Sequence, residues 1–296
     1  LTNACFDLWA KSRDVPLWRL LLDLTPSELV ATLDLSYVND VLTAEDATKM
    51  LQGDDPGRAQ RSKILNTGYP GSDTSFAGMS LSDEKLLKRA KASVSQGFGA
   101  IKLMVGASDN DVRRANLLRA KLGSGVSIML DANQAWDIGQ AIAATRAFAD
   151  MGPYWIEEPT HADDILGHAL IAREVAPTRV ATGKHVPNRV LFKQLLQVDA
   201  LHYVQADVVR LGGISEFLTV SLLARKYDKS VVPHAGDLAQ IHQHLVLFNH
   251  IALDQEVHFL EYVPHLRHRF LHPAIVEDGV YWTPEEPGAG SDLILD

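Results

Sequence analysis

The chain is poor in cysteine, in positive charge and in long apolar runs. Its single cysteine, Cys5, excludes an internal disulfide and suits a reducing compartment, so a cytoplasmic location is expected. With 28 Lys and Arg against 37 Asp and Glu, the formal net charge is −9, which argues against nucleic acid as a partner. No run of eighteen apolar residues occurs, so no membrane partner is expected either. The start lacks an initiator Met and lacks a basic leader followed by a cleavage site. Residues 1–24 instead resemble the second half of a helical region, in which Phe6, Leu8, Trp9, Leu17, Trp18, Leu20, Leu21 and Leu22 need cover. The expectation is that a preceding segment is absent and that this apolar face serves a partner chain.

What is present is a rhythm. From about residue 65, short apolar runs alternate with amphipathic stretches of helical length. The runs are "AIKLMV", "VSIMLDAN", "YWIEEP", "RVATGKH", "LHYVQAD", "SVVPHAG" and "HFLEYV". With "ILNTGYPGSDTS" as a degenerate first strand they give about eight βα units, the number of a (β/α)8 barrel. A doubly wound open sheet is the alternative, but no G-x-G-x-x-G follows its first strand.

In such barrels, chemistry sits at the carboxyl ends of the strands. Reading those ends from the second strand to the eighth gives Lys102, Asp131, Glu157, Lys184, Asp207, His234 and Glu261. One polar residue there is a strand leaving the core. A whole ring of ionisable residues is hard to explain by packing, because buried charges are costly unless paired or metal-bound. Lys102 and Met104 share one face of their strand, with Ile101, Leu103 and Val105 on the other.

The motifs "LDANQAW", "WIEEPT", "ATGKH", "VQAD", "RLGGISE" and "VVPHAG" resemble the mandelate racemase subgroup of the enolase superfamily. "NRVLFKQLL", "EYVPHL" and "RFLHPAI" are most similar to the L-fuconate dehydratase branch and related sugar-acid dehydratases. The resemblance implies an α/β fold, a modified TIM barrel of the (β/α)7β type over residues 63–296 with a C-terminal extension. Residues 1–62 would be the helical remnant of an N-terminal α+β capping domain. It implies Mg2+ as cofactor, a small sugar acid as ligand and a homo-oligomer. Asp131 and Glu157 match metal-ligand positions, and Glu158 supports them. Asp207 and His234 match a dyad whose histidine is the acid that helps a 3-hydroxyl leave. Lys102 matches a catalytic lysine, and Asn133 and Glu261 match substrate contacts.

Two positions depart from the family pattern. Lys184 stands where the third metal ligand is glutamate, and Met104 stands where a lysine is the base. A thioether cannot take the α-proton. Lys184 is expected to occupy the metal position as an internal counter-ion, with each charge contact worth roughly 4 kcal/mol at an effective dielectric near 20. The segment "GSDTSFAGMSLSDEK" and the run "DLAQIHQH" after "PHAG" also differ from relatives, which predicts an incomplete lid. Three functions follow: an impaired Mg2+-dependent dehydratase, a silent relative kept for binding or assembly, and a Schiff-base enzyme using Lys102 or Lys184. His242, His244 and His250 do not share one helix face, and His265, His268 and His272 approach helical spacing but have aromatic and proline neighbours that suggest packing, so neither group is expected to hold a metal. Met79, Met129 and Met151 are expected in core or loops.

Overall fold

A computed structural model describes residues 1–52, 56–74, 81–106, 110–235 and 239–295. The first part is helical: α1 (Thr2–Ser12), α2 (Leu17–Asp23), α3 (Pro26–Ala31), α4 (Ala44–Leu51), α5 (Gly57–Arg61) and α6 (Ile64–Thr67). Thr25 with Glu28, and Thr43 with Asp46, form capping boxes that start α3 and α4 by satisfying the free backbone N–H groups.

Among the described residues, the apolar runs then form eight parallel strands, joined by seven helices. In chain order these are β1 (Tyr69–Asp73), α7 (Asp83–Ser95), β2 (Ala100–Met104), α8 (Asp111–Leu122), β3 (Ser127–Asp131), α9 (Ile138–Ala147) and β4 (Ile156–Glu157). There follow α10 (Ile165–Glu174), β5 (Val180–Thr182), α11 (Arg189–Gln197), β6 (Tyr203–Val204), α12 (Ile214–Lys226), β7 (Ser230–Val231), α13 (His242–Leu253) and β8 (Leu260–Tyr262). Each strand from β1 to β6 pairs with the next, and β8 pairs with β1. This is the (β/α)7β form of the TIM barrel.

The ladder does not run all the way round. Among the described residues β7 and β8 share no backbone pairing. Side chains take over there: Val231 N–H donates to Gln255 Oε1 at 2.9 Å and Ala235 N–H to Glu261 Oε2 at 3.1 Å. At the opposite end of β1, the hairpin β9 (Val276–Glu277) and β10 (Val280–Tyr281) adds antiparallel, with Tyr69 opposite Tyr281. Gly97 at φ +88° lets this hairpin approach, because a Cβ there would lie 2.3 Å from the Asp278 backbone.

Alternation along the strands sorts the side chains into layers. Ile101, Leu103, Ile128, Leu130, Ile156 and Val180 face outward and are buried with α7–α10. Inside, Ala100, Met129, Trp155, Ala181, Tyr203 and Val232 fill the barrel toward the strands' amino ends. Lys102, Asp131 and Glu157 follow on the same inward face, one step nearer the mouth. Met129 and Met151 are core residues.

The N-terminal helices join this core rather than leaving it open. Phe6, Leu17, Leu20 and Leu21 are buried in one cluster with Phe217, Leu218, Leu245 and Phe248 of α12 and α13. The expected exposed face of residues 6–22 is therefore covered by the chain itself, although Leu8 is 68% exposed. Polar groups fix the contact: Asn3 Oδ1 accepts Ile214 N–H at 2.9 Å and so caps α12, and Trp18 Nε1–H donates to Pro284 O at 2.7 Å. His242 Nε2 accepts Val208 N–H and His244 Nδ1 accepts Trp18 N–H, so both histidines have packing roles. Met79, residues 75–80 of the altered first loop, and residues 236–238 of the altered seventh loop lie outside the described residues.

Candidate active site

The layer above the aromatic interior is ionic. β2 carries Lys102 inward, and its ammonium donates to both carboxylate oxygens of Glu157, at 3.0 and 3.0 Å. The same ammonium pairs with Glu261 on β8 and lies 3.5 Å from Asp131 on β3. From the exit of β5, Lys184 donates to Asp131 Oδ2 at 2.8 Å and to Glu157 Oε1 at 2.8 Å. Glu158 Oε2 lies 3.5 Å from the same nitrogen. Side chains from five elements thus meet in one buried group.

Burial opposes every charge in this group, and the partners decide the outcome. Burial would lower the Lys102 ammonium, but Glu157, Glu261 and Asp131 hold it well above its ordinary value. Lys184 is raised in the same way by Glu157 and Asp131. Burial would raise Glu157, yet the two lysines hold it well below the carboxylate range. Glu261 is also lowered, by Lys102 and His234 against burial. Asp131 goes the other way, pushed up to about 6 by burial and by the Glu157 charge against Lys102 and Lys184. Two lysines held this firmly as ammonium are not amine nucleophiles at neutral pH, so the Schiff-base expectation fails on its chemistry.

A second pairing lies across the mouth. Asp207, after β6, is buried and accepts from His234 Nδ1 at 2.7 Å and from Val209 N–H at 3.0 Å. His234 keeps 21% of its side chain exposed. Glu261 connects the two halves, taking Lys102 on one oxygen and Ala235 N–H on the other. Asn133 is exposed, and its backbone N–H donates to Asp131 Oδ1 at 2.9 Å. Met104 stands opposite Asp131 in the β2–β3 register and brings no donor or proton acceptor of use.

Sequence reasoning missed His185. Its Nδ1 lies 2.8 and 2.9 Å from the two oxygens of Glu158, making a second histidine–carboxylate pair at the mouth. The signal was its place directly after Lys184 in "ATGKH". Backbone strain was not legible either. Asn133, Gln134 and Glu158 have φ of +46°, +65° and +40°, a left-handed region costly for residues with a Cβ. The bonds from Gln134 N–H to Glu158 O and from Glu158 N–H to Ala181 O hold them there, at 2.8 and 2.9 Å.

With this geometry established, the likeness to known proteins has a meaning. The family described as "Enolase C-terminal domain-like" matches residues 85–296. The chain belongs to the enolase superfamily. The crystal structure of human mitochondrial enolase superfamily member 1 superposes with a TM-score of 0.95 at 40% identity, covering 99% of this chain and 68% of that one. L-galactonate dehydratase of Hypocrea jecorina is 38% identical over 302 residues, 99% of this chain and 67% of that protein. L-talarate dehydratase from Polaromonas sp. JS666, complexed with Mg and L-glucarate, gives a TM-score of 0.76 at 28% identity, covering 99% of this chain and 69% of that one. This enolase-superfamily chain thus spans about two-thirds of the length of these relatives and is similar to sugar-acid dehydratases.

Magnesium is bound in that last relative, so its fit to this chain can be tested. Mg2+ wants a near-octahedral shell of oxygens at about 2.0–2.1 Å. Here the point shared by Asp131 and Glu157 holds the Lys184 ammonium, 2.8 Å from each. An added divalent ion would meet a fixed cation and find two carboxylates already paired. The residues present do not fit Mg2+.

Proposed function

We propose that this chain derives from Mg2+-dependent sugar-acid dehydratases of the L-fuconate dehydratase kind and is silent in that reaction, retaining the barrel for binding or assembly. The reaction removes the proton next to a carboxylate and expels the 3-hydroxyl to give a 2-keto-3-deoxy acid. Met104 carries this reading: at the strand position facing Asp131, the chain offers a thioether where a base is required. Lys102 is no substitute, because its proton is held by Glu157, Glu261 and Asp131. In the same proposal, residues 1–62 are the capping-domain remnant, and residues 63–296 the barrel with its extension. A cytoplasmic homo-oligomer with a sugar acid as its small ligand completes the reading.

The Asp207–His234 pair favours a second reading, a slow dehydratase. Asp207 orients the ring through Nδ1, which leaves Nε2 for proton transfer. A positioned acid or base contributes about 10²–10⁴-fold, too little alone for a strongly held α-proton. Incubation with L-fuconate, L-galactonate and related sugar acids in the presence of Mg2+ tests the choice. No 2-keto-3-deoxy product above background is expected. Product formation lost in His234→Gln would establish the slow dehydratase instead.

A further inference from the structure

We propose that Asp131 and Glu157 form a latent divalent-cation site held shut by Lys184, whose ammonium performs the structural part of a metal ion's task. Asp131 ends β3, Glu157 ends β4, and Lys184 follows β5. These strands are adjacent and their backbones are locked in register, with Asp131 opposite Glu157 and Glu157 opposite Ala181. Two carboxylate oxygens therefore converge on one point, and the Lys184 nitrogen lies 2.8 Å from each. Glu158 is the further carboxylate nearby, at 3.5 Å.

The ammonium is tethered, so it does not exchange with solvent ions. Its own backbone is also held: Arg210 donates to the Lys184 carbonyl at 2.9 Å, which fixes the residue from which the side chain extends. Lys102 has separate work, bonded to both oxygens of Glu157 and paired with Glu261. One cation therefore remains in the group when Lys184 is removed, while the Asp131 side loses its hydrogen-bonded cation. Replacing Lys184 by a carboxylate would bring three acidic side chains from three neighbouring strands to a single point. Such a set of hard oxygens suits Mg2+.

Thermal unfolding of the whole chain, in EDTA and in millimolar Mg2+, distinguishes the possibilities. The unaltered protein should melt at the same temperature in both. Lys184→Met should melt about 10 °C lower in both, since breaking a buried pair leaves carboxylates uncompensated and gives nothing for Mg2+ to restore fully. Lys184→Glu should be lowered in EDTA and raised by about 5 °C or more with Mg2+, because a ligand bound only by the folded state stabilises it. A Mg2+-dependent rise in the unaltered protein would overturn the proposal, as would a folded Lys184→Glu variant indifferent to Mg2+. Should that variant fail to fold in EDTA, its refolding yield gives the answer: Mg2+-dependent recovery supports the latent site and no recovery contradicts it. The readout is metal response, so the inference stands or falls separately from whether the chain dehydrates a sugar acid.

Discussion

On the β2–β5 side of the mouth, Lys102 and Lys184 are buried to 5% side-chain exposure and are bonded to carboxylates on every side. On the β6–β7 side, Asp207 is equally buried, but its partner His234 keeps part of its ring in contact with solvent. The two lysines of the first half are held by carboxylates, whereas the ring of His234 in the second half reaches solvent, as His185 does beside Glu158 at the rim of the first. The difference shows that ionisable residues at strand ends identify an ancestry, whereas their partners decide whether chemistry remains.

The largest effect is expected from Lys102→Met. It leaves Glu157 and Glu261 short of their common cation, with an expected cost of about 3–5 kcal/mol in denaturant unfolding. A loss below about 1 kcal/mol would mean that the first half is as solvated as surface ion pairs, erasing the contrast.

Acid titration sharpens it next. Glu157 and Glu261 are lowered, so their stabilisation is present above the unfolded value of about 4.3 and is lost as pH falls through their folded values. Asp131, at about 6, has the opposite sign: the folded state holds the extra proton, and stability falls as pH rises from about 4 through 6. Asp131→Asn should flatten that second segment of the stability profile and leave the acid limb in place.

The smallest effect belongs to the other half. Asp207→Asn removes the charge facing His234 but keeps one oxygen to accept Val209 N–H, so about 1–2 kcal/mol is expected from unfolding curves. A cost matching that of Lys102→Met would place both halves in a single network.

Much of this was legible because barrel chemistry is ordered along the chain. The alternating runs located the strands, and period-two alternation placed Lys102 and Met104 on the inner face, as the layers show. What escaped was long-range. Barrel closure predicts β8 beside β1, but that Glu261 of β8 would reach across β1 to pair with Lys102 of β2 is a side-chain contact no local pattern encodes. The cover over Phe6 and Leu17 likewise came from α12 and α13, more than 190 residues away in the sequence, and so was missed. His185 follows Lys184 in the sequence, but its pairing with Glu158 joins two strand ends, and the positive φ of Glu158 has no signature in residue type alone.

A crystal of the protein soaked in Mn2+ shows whether Lys184 closes the carboxylate site, because Mn2+ takes Mg2+-type oxygen sites and scatters anomalously. No anomalous peak is expected between Asp131 and Glu157, with Lys184 Nζ at that point, 2.8 Å from each carboxylate. A Mn2+ peak there, with the Lys184 side chain displaced, would contradict it.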